Sequence, residues 1–393
     1  MSAWPMMPLG EIVSLKGGGT PRKDVPEYWD GSIPWATVKD FKSTSLSGTQ
    51  DSISASGLTA SAANLIPAGH VIIPTRMALG KAAINDIDVA INQDLRALLP
   101  AKPLDTRYLL HAMLSLADDI ERQGSGATVK GITQSRLLAL KIPLPPLPEQ
   151  KRIAKILDAA AALRAKRRES LAQLDALLQS TFLEMFGDPV ENLKGWNATT
   201  TLGEIADLVS GITKGRKVKG QQLREIPYLA VANVQDRHLS LDNVKTIEAT
   251  EAEISRYRLL KGDLLLTEGG DPDKLGRGSL WSGELEECIH QNHVFRVRLH
   301  SERVRPIYLN WLIGSARGKR YFMRSAKQTT GIASINMTQL RAFPMLIPPV
   351  EIQDQFSTAV TQLEEHRLKL TKQCKELDIL FSSLQHSAFT GQL

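Results

Sequence analysis

The sequence predicts an α/β (α+β) domain present twice. Each copy is followed by a long helix, and the two helices pair as an antiparallel coiled coil about a pseudo-two-fold axis. Three observations carry this. Short segments recur in order: Leu9-Gly10-Glu11-Ile12 returns as Leu202-Gly203-Glu204-Ile205, Ile33-Pro34 as Ile226-Pro227, Gln93 as Gln291, and Leu174-Asp175 as Leu377-Asp378, at displacements growing from 193 through 198 to 203. A period of about 200 residues far exceeds the roughly 20–50 of solenoids, so the repeated unit is a whole domain. Each copy also ends in a proline-rich hinge, and each hinge leads into a stretch of helical periodicity.

In chain order, residues 1–148 form a first mixed domain. Short β-type runs such as His70-Val71-Ile72-Ile73 are broken by Gly, Pro and Asn, and one helical stretch spans Thr106 to Arg122. The hinge Ile142-Pro143-Leu144-Pro145-Pro146-Leu147-Pro148 favours extended polyproline II, and Pro148-Glu149 suits a helix start. A ligand motif for an aromatic groove is the weaker reading of these prolines, because a stop before a helix explains both copies. The first spacer helix covers 149–186. Residues 187–349 repeat the mixed domain, with the run Asp263-Leu264-Leu265-Leu266 and a helical stretch from Ile307 to Arg324. Ile347-Pro348-Pro349-Val350 leads into the second spacer helix, 350–393.

The helical stripe runs through Leu157, Leu171, Leu174 and Leu178 in the first copy. In the second it runs through Val360, Leu363, Leu370, Leu377, Phe381 and Leu384, in shared register and interrupted by Arg164, Arg167 and Arg367. An amphipathic helix lying on its own domain is the simpler alternative. Two matched helices after equivalent domains favour pairing with one another, over roughly 50 Å at 1.5 Å per residue.

Composition excludes several classes. Hydrophobic residues at 42% and charged residues at 23% are those of a soluble globular chain. No apolar run approaches the roughly 20 residues of a membrane span, and the first residues lack a signal peptide's basic start and apolar core. Two cysteines in different segments, Cys288 and Cys374, suggest reduced thiols and a cytoplasmic protein without membrane partners. The net charge of +6 divides as +1 for residues 1–148, +2 for 149–186, +5 for 187–349 and −2 for 350–393. This permits nucleic-acid binding, with a local cluster or a partner's help required in the first domain.

No catalytic constellation is legible. The chain has no GxxxxGK[ST] loop, no dinucleotide fingerprint and no GxSxG elbow. Cys288, His290 and His293 lie in a strand-like run without a second ligand pair, so metal binding is not expected. Binding residues are better represented. Thr20, Arg22 and Lys23 follow Gly17-Gly18-Gly19, and Lys214, Arg216, Lys217 and Lys219 occupy the matching Gly-rich segment of the second copy. Lys39, Arg76 and Lys81, then Asn233, Gln235, Arg237, Lys274 and Arg277, extend the set. Loops of this kind approach phosphates, and Arg, Lys, Asn and Gln can read purine edges in the major groove.

With Gly18-Gly19-Thr20-Pro21, Tyr28-Trp29-Asp30-Gly31 and Ile33-Pro34-Trp35, the Pro-Leu-Pro-Glu-Gln that leads into the first helix, and the closing Gly391-Gln392-Leu393, the chain resembles the specificity subunit of type I restriction–modification enzymes. The resemblance spans the whole length and implies two target recognition domains, each reading half of a split sequence in double-stranded DNA. It implies paired helices that serve as a ruler and as a platform for two methyltransferase subunits. Those partners would supply S-adenosylmethionine and adenine methylation. Restriction subunits, where present, would use ATP and Mg. The chain itself would be non-catalytic and bind no cofactor. The second copy departs from the pattern, with Gly211-Ile212-Thr213-Lys214 in place of Gly-Thr-Pro and Tyr228 in place of the tryptophan, as two domains reading different sequences would. An interaction scaffold with a dimerising coiled coil is the main rival reading, and a self-sufficient methyltransferase or nuclease is the third.

Overall fold

The computed structural model describes residues 4–126, 129–216, 222–270, 275–329 and 332–393. The chain divides into two compact units, Met1–Glu169 with Leu370–Leu393, and Ser170–Lys369. The division runs through both long helices, so each unit holds one mixed domain and half of each helix.

In unit 1, a five-stranded sheet has the order Val13–Gly17, Leu95–Pro100, Val71–Pro74, Ala83–Asn85, Ser45–Leu46, antiparallel except for its last pair. A four-stranded sheet places Trp29–Ala36 between Asp51–Ile53, antiparallel, and Val89–Ile91, parallel. Val13, Val71, Ile73 and Leu98 of the first sheet bury against Leu109, Leu110, Met113 and Ile120 of the helices Thr106–Ser115 and Ala117–Gln123. The sequence suggested one continuous helix here. It breaks at Leu116, whose ψ of 7° leaves the helical region. The second copy breaks likewise at Ser315, whose ψ is 173°, between Pro306–Gly314 and Ala316–Ser325.

Unit 2 repeats this frame. Ala206–Ser210, Val294–Leu299, Leu264–Thr267 and Gly278–Leu280 follow the order of the first four strands of unit 1's larger sheet. Arg224–Leu229 lies between Lys245–Ala249, antiparallel, and Ile289–His290, parallel. Backbone hydrogen bonds fix the equivalences. Leu9 N donates to Leu140 O and Leu202 N to Phe343 O. Asn92 N donates to Ala36 O and Gln291 N to Leu229 O. Gln291 therefore stands where Asn92 stands, not Gln93, and the displacement there is 199. The sequence match was one residue out because both neighbours in the first copy are amides.

The long helices span Leu147–Phe186 and Val350–Thr390. Each begins beside a buried glutamine that ties the hinge to its own domain. Gln150 accepts from Asp105 N at 2.8 Å and donates to Pro145 O at 2.9 Å; Gln353 accepts from Arg305 N and donates to Pro348 O, both at 2.8 Å. Tyr108 and Tyr308, buried, donate to Pro143 O and Leu346 O. Within unit 1, Ile153, Ala154 and Leu157 pack with Phe381, Leu384 and Ala388, and Arg152 meets Leu393 while Arg164 meets Asp378, so the two helix segments run antiparallel. Within unit 2, Leu178, Phe182 and Phe186 join Phe356 and Val360 in one core, with Leu363 packed against it. Leu370 is buried, and Leu171, Leu174 and Leu377 are half-buried. Arg164 is no interruption: its guanidinium sits 4.3 Å from the centre of the Phe381 ring and pairs with Asp378.

Candidate nucleic-acid interface

The glycine loop of unit 1 is held by its backbone. Gly18 lies so close to the Val89–Ile91 strand that a Cβ would sit 1.8 Å from Ile91 O, and Gly19 N donates to that same oxygen at 3.0 Å. Loop carbonyls then fix two indoles: Trp35 Nε1 donates to Gly19 O and Trp29 Nε1 to Arg22 O, both at 3.0 Å. The two rings meet edge to face, with centroids 5.2 Å apart. Trp29 reaches this position through a bulge at the start of its strand, where Asp30 takes a φ of 55°. Asp40 closes the following turn by accepting from Thr37 N at 2.8 Å and Gln50 N at 2.9 Å.

These elements enclose an open cleft of about 790 Å³, lined by Thr20, Lys23, Trp29, Trp35, Lys39, Asn92 and Gln93 among others. Three of the residues proposed from sequence, Thr20, Lys23 and Lys39, thus meet at one place. Thr20 Oγ1 donates to Gln93 Oε1 at 2.5 Å, and Lys23 and Lys39 are exposed. Arg22 is exposed and forked onto Asp24; each holds the other in its charged form. Arg76 is exposed beside the buried Asp94 at 3.8 Å. Lys81 lies apart from the cleft lining and donates to Phe41 O at 3.0 Å, which closes a loop.

Unit 2 keeps the frame and changes the contents. Gly211 makes the same close approach, with a Cβ 1.9 Å from His290 O. Lys214 is exposed in the turn that follows. Arg216 is only partly exposed and forks onto Glu253, with both contacts at 2.6 Å; that bond holds the Glu253 carboxyl down at about 2. Asn233 stands where Asp40 stands. Its carbonyl caps Ala230 N, its amide donates to Ser240 O and Asn243 O, and it is 6% exposed. The expectation that Asn233 reads a base is therefore corrected: its amide is consumed in shaping its own turn. Gln235 and Arg277 bond each other at 3.1 Å. Arg237 lies over Trp311, its guanidinium carbon 3.7 Å from the ring centre, where burial lowers its pKa. Its place is beside the long helices, with Asp175, Glu364 and Arg367 around it, and not with the glycine loop. Lys217, Lys219 and Lys274 lie outside the described residues.

Position by position, the polar rim differs between copies. Asp94 of unit 1 is replaced in unit 2 by His293, because Thr75 N bonds Asp94 O just as Glu268 N bonds His293 O. Asp94 lies 3.8 Å from Arg76, whereas His293 Nδ1 is 2.5 Å from Glu268, which stands where Thr75 does. His290 is buried with Nδ1 on Val294 O, burial holds its pKa down at about 4, and burial pushes the Cys288 thiol up to about 12. Among the described residues no group of three or more His, Cys, Asp or Glu could hold a metal ion. No helix there is long and apolar enough to cross a membrane. Sequence reasoning missed Asn92 and Gln93 as residues of the cleft wall; the signal was the amide shared by both copies, used only to align them.

A family model described as the type I restriction modification DNA specificity domain matches this chain twice, over residues 1–173 and 194–377. The chain is 35% identical over 181 residues to the type I restriction enzyme EcoR124I/EcoR124II specificity subunit of Escherichia coli, which covers 44% of this chain and 45% of that protein. It is 24% identical over 417 residues to the StySPI specificity subunit of Salmonella potsdam, covering 99% of this chain and 89% of the relative. The crystal structure of a type I restriction–modification S subunit from M. genitalium shares the fold, with a TM-score of 0.57 at 16% identity over 99% of this chain and 96% of that one.

Proposed function

Because the chain belongs to the family of type I restriction–modification DNA specificity subunits, we propose that its two units each read one half of a split duplex target. The observation that carries this is the contrast between the copies. The hydrogen bonds that place the glycine loop, the capped turn and the hinge recur, whereas the side chains around the loop differ. A shared frame gives both units the same docking geometry on DNA, and different rims give them different base preferences. Lys23 and Lys39 in unit 1 and Lys214 in unit 2 are exposed, and in this reading they are the cations that meet phosphates.

The remaining chemistry belongs to partners. Methyltransferase subunits bring S-adenosylmethionine and transfer the methyl group to adenine, and restriction subunits bring ATP- and Mg-dependent translocation and cleavage. The chain makes and breaks no covalent bond, and it works in the cytoplasm, where the DNA is. Its long helices carry the methyltransferases and set the distance between half-sites, of which one DNA turn is roughly 34–36 Å.

The test is adenine methylation of genomic DNA, read by long-read sequencing, in cells expressing this chain with its neighbouring methyltransferase. Cells lacking only this chain are the control. A split motif methylated only when the chain is present is the expected result. An identical pattern in both, with the methyltransferase soluble and expressed, would favour a protein scaffold.

A further inference from the structure

Resting on the reading of the chain as a DNA specificity subunit, we propose that the cleft of unit 1 captures one unstacked nucleobase of its half-site, with the base ring on Trp29 and the flanking phosphates on Lys23 and Lys39. Both indole N–H groups are already spent on loop carbonyls, Trp29 on Arg22 and Trp35 on Gly19. What the two rings offer a ligand is therefore aromatic surface and not hydrogen bonds. Trp35 is 5% exposed and serves as the buttress; Trp29, half-buried and edge-on to it at 5.2 Å, is the ring with area left to cover.

A base pair inside a duplex cannot use that area. Its faces are covered by its neighbours, and it shows the groove only its edges. Only a base turned out of the stack presents a face, and aromatic stacking is how proteins hold such bases. The cleft, at about 790 Å³, is within the size range of small-molecule sites. Gln93 and Asp51 line its walls; Gln93 accepts from Thr20 and donates to Asp94, which leaves one amide hydrogen and one lone pair, with the Asp51 carboxylate, for a base's pairing edge. Lys23 and Lys39 are exposed in the same lining, as the backbone on either side of an extruded nucleotide requires.

The second copy sharpens the assignment. Tyr228 replaces Trp35, and the strand Arg224–Leu229 pairs with Lys245–Ala249 in unbroken register, without the bulge that brings Trp29 to the cleft. Base capture is accordingly a property of unit 1 alone. The captured base is not the methylated adenine, which must enter the methyltransferase's own site.

Photo-crosslinking tests this on the full chain assembled with its methyltransferase subunits, using duplexes that carry the methylated motif. One base at a time, in both half-sites, is replaced by its iodinated or brominated analogue, and crosslinks are mapped by mass spectrometry. A single position in the half-site read by unit 1 should crosslink to Trp29. Trp29→Ala should lose that crosslink and weaken specific binding roughly tenfold, the order expected for one stacked base. Trp29→Phe should keep most of the affinity, which separates lost stacking from lost fold. Specific binding by the native complex with no crosslink to Trp29 and no loss in Trp29→Ala would overturn base capture and leave the specificity role intact. Absence of any sequence-specific binding would overturn both.

Discussion

Gln150 and Gln353 each satisfy backbone groups from a domain loop and from the proline hinge while almost wholly buried. Removing either amide strands those groups, so Gln150→Ala and Gln353→Ala should each destabilise their own unit by at least about 2 kcal/mol in urea unfolding. Gly18 and Gly211 are constrained by space, since a Cβ would lie inside contact distance of a carbonyl oxygen. Alanine at either position should shift the loop and weaken recognition of the corresponding half-site by about tenfold or more, the cost of a lost base contact, as measured by methylation of duplexes altered in one half. His290 gives a pH dependence. Its folded pKa is held near 4 against 6.5, so the unfolded chain binds the extra proton first as pH falls. Its contribution to the stability of unit 2 is complete above about 6.5 and lost between there and 4, by at most about 3 kcal/mol. His290→Gln should flatten melting temperature across that window. At this scale the sequence was read least well. Arg216, Gln235, Arg237 and Arg277 look like solvent-facing binders until Glu253, one another and Trp311 are seen beside them. Those partners lie tens of residues away, and no local pattern announces them.

The elements were more legible, because periodicity and proline placement act locally. Heptad spacing marked both long helices, and Leu157, Leu178, Val360 and Leu370 are buried as the stripe requires. Arg164 looked like a flaw in it only because the pattern cannot show that an arginine stem and its guanidinium can cover an aromatic ring while pairing with Asp378. The breaks at Leu116 and Ser315 were hidden for a related reason: the apolar spacing continues across them while the backbone turns. In unit 2 the helices are anchored by a cluster in which Phe356 touches Phe182, Phe186 and Trp311, with centroids 5.2–5.6 Å apart. Phe356→Ala should cost unit 2 about 3–5 kcal/mol, visible as an earlier urea transition. An unchanged transition would mean the cluster is not what fastens the helix there.

For the whole molecule, duplication was the most readable feature. The residues that recur are those that bond backbone or bend it, namely the Leu-Gly-Glu turn, the hinge prolines and the buried glutamines. The rims diverge, as the proposed reading of a different half-site by each copy over a common frame requires. In the proposed function, two such readers act on one duplex at a separation set by the paired helices. Shortening both helices by four residues removes roughly 6 Å of rod, equivalent to about two base pairs at roughly 3.4 Å each. The measurement is the methylated motif of cells expressing the shortened chain with its methyltransferase. The expected result is the same two half-sites with a gap about two base pairs shorter; the same half-sites at an unchanged gap would show that the helices do not set the spacing.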